Sequence, residues 1–105
     1  MSKPSWIKTT VGWEKKKIIW LRVMKGDTPM EIVRFIELNS GLEIYKDMPT
    51  DDGTIRKVIK ELEVMPKSIA SRLVNELPDM VDYFADKRSD LGIDRNHIPS
   101  VTHLT

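Results

Sequence analysis

The chain contains no cysteine, which excludes disulfide frameworks, cysteine-ligated zinc, iron–sulfur clusters and thiol nucleophiles together and suits a reducing compartment. Histidine is scarce as well: His97 and His103 stand six residues apart, not at the i, i+4 spacing with which a helix offers two ligands to one metal. The five glycines are dispersed and supply neither the Gly-x4-Gly-Lys-Ser/Thr loop that cradles phosphates nor a Gly-x-Gly-x-x-Gly turn, and no Gly-x-Ser-x-Gly elbow is present. Asp51 and Asp52 are adjacent, but neighbours on a helix start diverge by about 100°, so capping is the simpler role. The run from Asp90 to Asp94 is too sparse for a calcium loop. No enzymatic activity, cofactor or metal is therefore expected. Long apolar runs are missing too: a membrane helix needs about 20 such residues, and the opening residues lack the apolar core of a signal peptide. The expectation is a soluble, cytoplasmic protein without a membrane partner.

What is present is the composition of an ordinary globular protein. With 105 residues, 40% hydrophobic and 31% charged, the chain is expected to form one domain, and at this size folding buries roughly two-thirds of the unfolded surface. Residues 1–11 mix Lys, Pro, Ser and Thr without a sustained period and read as a basic flexible arm. Helical pattern then runs from Trp13 to Lys25, with Trp13, Trp20 and Met24 on one stripe and Gly26 placed for a left-handed cap. Thr28-Pro29-Met30-Glu31 is the clearest helix start in the chain: Thr caps, Pro fits the first turn, and Glu reaches back to the cap. Ile32, Phe35 and Ile36 follow on that second helix, and Asn39-Ser40-Gly41 ends it. Leu42, Ile44, Tyr45 and Met48 look like buried anchors of an ordered loop. A third helix opens at Thr50-Asp51-Asp52 and runs to about Val64, with Ile55, Val58, Ile59 and Leu62 on one stripe. A fourth covers Lys67 to Glu76, and a fifth runs from Pro78-Asp79 to Leu91 with Gly92 after it. The fold expected is all-α, a small compact bundle of about five short helices in one domain over 12–92, with a loosely ordered tail over 93–105.

Total charge is nearly balanced at +1, but its distribution is not. Residues 1–60 hold twelve bases and eight acids, a balance of +4, whereas residues 61–105 stand at −3. Such polarity suits a protein whose one end meets polyanionic phosphate, although Lys15, Lys16 and Lys17 spread over about 200° of a helix and equally serve to solvate it. The third helix carries the sharpest signal. Opposite its apolar stripe lie Gly53, Thr54, Arg56, Lys57, Lys60 and Glu61, a mainly basic face. Arg56 and Lys60 repel mildly at i, i+4, a repulsion that an intervening phosphate relieves. Gly53 lets a sugar-phosphate strand approach the backbone, and Arg56 has the fork that pairs with guanine.

The order of a first helix, Gly26-Asp27-Thr28-Pro29-Met30-Glu31-Ile32, then Asp52-Gly53-Thr54-Ile55-Arg56-Lys57-Val58-Ile59 resembles the helix-turn-helix domains of resolvases, transposases and homeodomain-like regulators, over about residues 12–64. The resemblance implies a helix-turn-helix core in which the third helix enters the major groove of double-stranded DNA, with Gly53, Thr54, Arg56, Lys57 and Lys60 nearest the nucleic acid. Lys15, Lys16 and Lys17 would add phosphate contacts. The function implied is that of a DNA-binding protein, a transcriptional regulator or a component of a mobile element or phage. The alternative is a helical protein-interaction or structural module whose basic face only solubilises it. Trp13 and Trp20 read as core aromatics of the first helix, while Trp6 lies among the bases of the arm. The apolar faces of the helices over 66–92 either close the core or form a homodimer seam.

Overall fold

The computed structural model describes residues 4–94, and among them the chain is all-α, with five helices, two single-turn 3-10 segments and no strand. The helices are α1 (Trp13–Met24), α2 (Pro29–Leu38), α3 (Asp52–Val64), α4 (Lys67–Glu76) and α5 (Met80–Lys87). The chain divides into two compact units, residues 1–62 and 63–105.

In the first unit, Lys16, Ile19 and Trp20 recur at i, i+3 and i+4 on α1 and are all buried, while Trp13 meets Trp20 edge-on with centroids 5.5 Å apart. α1 stops at Lys25 because the next residue, Gly26, takes φ 89°, a left-handed conformation that glycine adopts without a steric penalty. The α2 capping box is complete: the Thr28 hydroxyl accepts from the Glu31 backbone N–H at 3.2 Å, and the Thr28 N–H donates to the Glu31 carboxylate at 2.8 Å. Ile32, Val33 and Ile36 then face inward. Phe35 meets Tyr45, edge-on at 5.5 Å, and the Arg22 guanidinium, 4.1 Å from its centroid. Arg22 also donates to the Asp27 carboxylate at 2.7 Å, so this base serves the α1–α2 corner.

The connection from α2 to α3 holds a 3-10 turn at Glu43–Tyr45. Of its four expected anchors only Met48 is buried and Tyr45 half-buried; Leu42 and Ile44 are 55% and 62% exposed. With a 3-10 turn and the left-handed Asp47, φ 64°, the segment has no single face that could collect all four. α3 then begins with the Asp51 carboxylate accepting the Thr54 N–H at 2.8 Å, and buries Ile55, Val58, Glu61 and Leu62.

In the second unit, Met65, Ala70, Leu73, Val74, Met80, Phe84 and Ile93 are buried, and α4 packs against α5. α5 ends at Lys87, earlier than expected, and a 3-10 turn over Ser89–Leu91 follows before Gly92 at φ 71°. The cause is Arg88. Its backbone leaves the helical region, and its guanidinium bridges the Asp90 carboxylate, at 3.0 and 3.2 Å, to the Met65 carbonyl at 3.1 Å. That hydrogen bond holds Asp90 below the ordinary carboxylate range. Among the described residues none of the large exposed apolar side chains lies on α4 or α5; the inward residues of these helices are buried within the chain and give a homodimer seam no support. Of the expected tail, Ile93 is buried, while residues 95–105, with His97 and His103, lie outside the described residues. No helix among the described residues is long and apolar enough to cross a membrane.

Candidate nucleic-acid interface

α3 is fixed to α1 by one face. The Trp20 indole N–H donates to the Val58 carbonyl at 2.8 Å, and the Lys16 ammonium meets the Glu61 carboxylate at 3.1 Å with side chains 5% and 0% exposed. The other face of α3 carries Gly53, Arg56, Lys57 and Lys60, all exposed, with Thr54 half-buried at its edge. The first three turns of α3 therefore present a backbone without a side chain and three bases to solvent.

The two acids at the start of α3 are both engaged. Asp51 is the cap, and the Thr54 backbone N–H, followed by the Thr54 hydroxyl, holds its carboxyl below the usual value. Asp52 accepts from the Arg56 guanidinium at 3.1 Å, across an i, i+4 pair with side chains 47% and 61% exposed. A pair this wet is worth about 0.2–1 kcal/mol, so it holds Arg56 along the helix without committing it there.

The basic cluster of α1 does not stay together. Lys15 is half-buried, and Lys17 turns to Glu14 at 3.1 Å with 15% of its side chain exposed. Lys16 corrects the sequence reading: it belongs to the apolar stripe of α1, not to a phosphate-facing surface. Glu61 is a second correction, because the wheel grouped it with the basic face while the structure buries it completely. One of its oxygens, Oε2, accepts from the Lys8 N–H at 2.7 Å, the Thr9 N–H at 3.1 Å, the Thr9 hydroxyl at 3.4 Å and Lys16; the other, Oε1, is buried with no hydrogen-bond donor. Taking a carboxylate out of water costs several kcal/mol, and a cation plus backbone donors offset that cost. Trp6 lies over the same cation, 5.5 Å from Lys16 Nζ to the ring centroid.

These contacts also revise the arm. Residues 8 and 9 are held by Glu61 instead of running free, and Thr9 is buried. An open cleft of about 260 Å³ lies between this segment and α3, lined by Lys8, Thr9, Thr10, Val11, Thr54 and Lys57. Lys8, one of the bases of the arm, joins Lys57 at this cleft. Its signal in sequence was faint. Lys16 standing at i−3 and i−4 from Ile19 and Trp20 marks it as inward, and an inward lysine demands an acid, but nothing in one sequence says which acid or what else that acid holds. Among the described residues no group of three or more His, Cys, Asp or Glu side chains is placed to hold a metal ion. No family model, curated protein or solved structure matches the chain.

Proposed function

We propose that the first unit binds double-stranded DNA without catalysing a reaction on it, laying the exposed face of α3 into the major groove as the helix-turn-helix resemblance implies. The observation that supports this reading is the division of α3: Ile55, Val58, Glu61 and Leu62 are buried on one side, while Gly53, Arg56, Lys57 and Lys60 face solvent on the other. Arg56 and Thr54 read base edges, Lys57 and Lys60 contact phosphates, and Lys15 and Lys17 lend positive potential. The acids do not block this approach, since Asp51 is spent on the cap and Asp52 exchanges its share of Arg56 for water at small cost. The role that fits is a cytoplasmic regulator of transcription or a mobile-element or phage protein. Replacing Arg56 and Lys60 together by Ala tests the assignment: duplex affinity falls while the circular-dichroism spectrum stays helical. Unchanged affinity with an intact spectrum removes α3 from the interface.

A second reading rests on a different surface. Leu38, Leu42 and Ile44 are 86%, 55% and 62% exposed, and apolar side chains grouped along one stretch of chain favour docking of another protein. Loss of partner capture on Leu38→Ser with Ile44→Ser, with DNA binding absent in the parent chain, would favour that reading over the first.

A further inference from the structure

The cleft between residues 8–11 and α3 has a composition that a purely structural crevice does not need. Two lysines from distant parts of the chain, Lys8 and Lys57, line it together with the threonines at 9, 10 and 54. Both lysines are exposed, so an anion seated in the cleft is attracted by both. Thr10 adds a hydroxyl, which donates to a phosphate oxygen without adding charge, while the Thr9 hydroxyl is held by Glu61. Lys8 is brought there by a contact made by its own backbone: its N–H and that of Thr9 are held by Glu61, which is itself neutralised by Lys16. The buried ion pair thus sets the wall of the cleft, and its residues are positioning residues, not contacts.

We infer that this cleft seats one backbone phosphate of the bound duplex, clamped between Lys8 and Lys57, with the Thr10 hydroxyl toward the phosphate oxygens. The inference rests on the DNA-binding reading and adds to it a contact from the segment before α1 and a defined place on the sugar-phosphate strand. The acids that flank these residues in the chain are engaged: Asp51 by the Thr54 N–H and hydroxyl, Asp52 by Arg56, and Glu61 by Lys8, Thr9 and Lys16.

The test is equilibrium binding of the full chain to a labelled mixed-sequence duplex at several salt concentrations, for the parent, Lys8→Ala, Lys57→Ala, the double variant and Lys67→Ala as a control on α4. Two lysines on one phosphate count as one neutralised charge. Each single substitution therefore weakens binding on every duplex sequence, and the double variant lowers the salt slope by about 1, not about 2. Lys67→Ala changes nothing. A duplex bound by the parent and weakened by Arg56→Ala with Lys60→Ala, but unaffected by Lys8→Ala, overturns the cleft and leaves α3 standing. A fall in slope of about 2 in the double variant, with additive effects, also overturns a shared phosphate. No binding by the parent at low salt overturns the DNA-binding reading and the clamp with it. As a check on folding, Thr10→Val keeps shape and removes only a hydroxyl; it weakens binding if the clamp is present and leaves affinity unchanged if it is not.

Discussion

The two sides of α3 each carry an ion pair, and the pairs do opposite things. Glu61–Lys16 is 3.1 Å long with side chains 0% and 5% exposed, while Asp52–Arg56 is also 3.1 Å long but 47% and 61% exposed. Equal length conceals unequal cost. In water the pair exchanges easily with solvent ions, whereas a buried pair broken at one end strands a charge where no water can reach it. Distance alone therefore does not tell a structural salt bridge from a disposable one; burial and the count of additional donors do. By that criterion the inward side of α3 is architecture, tying residues 8 and 9 and α1 to α3, and the outward side is available for recognition.

The comparison is broken most sharply on its buried side. Glu61→Ala removes the acceptor of Lys8, Thr9 and Lys16 at once and leaves the ammonium buried, so chemical denaturation should show a loss of about 3–5 kcal/mol; hydrogen exchange should show residues 8 and 9 losing protection first. Trp20→Phe keeps most of the ring and deletes the donor to the Val58 carbonyl; that carbonyl keeps its partner within α3, so the loss is one net hydrogen bond, about 0.5–1.5 kcal/mol by the same measurement. Thr28→Ala, away from α3, removes half of the capping box and should cost about 1 kcal/mol, restored in large part by Thr28→Ser. Arg56→Ala should shift stability by less than about 1 kcal/mol while weakening duplex binding.

The smallest effect is one of pH. The Asp51 carboxyl lies below its ordinary value in the folded protein because the Thr54 N–H binds its charged form. Its contribution is fully present above the unfolded-state value of about 3.9 and is lost as pH falls through the lower folded-state value. Asp51→Asn keeps a capping acceptor but has no charge to lose, so its stability should be flatter than the parent's below about pH 4, as followed by thermal melts across acid buffers.

Most of the helical frame was legible because local chemistry specifies it. The capping box at Thr28, the left-handed Gly26 and Pro66 ahead of α4 set boundaries by short-range sterics and hydrogen bonds, and the i, i+3, i+4 stripe of α3 marked its buried side. The outward residues of α3 were readable for the same reason. What escaped is what depends on partners far along the chain: Glu61 meets Lys8 and Thr9 over more than fifty residues, so a wheel drawn for α3 alone put it outside. Lys16 was grouped with its charged neighbours when its spacing from Ile19 and Trp20 put it inside. The early end of α5 turns on Arg88 finding the Met65 carbonyl, a contact no local window contains.

Titration of a labelled mixed-sequence duplex with the parent chain, by fluorescence anisotropy at about 50 and about 200 mM salt, tests the central claim most directly. Phosphate contacts by the basic face require binding at the lower salt and a loss of at least about an order of magnitude at the higher one. Absence of binding at about 50 mM salt, with the helical spectrum intact, would contradict the claim that the outward face of α3 is made for DNA.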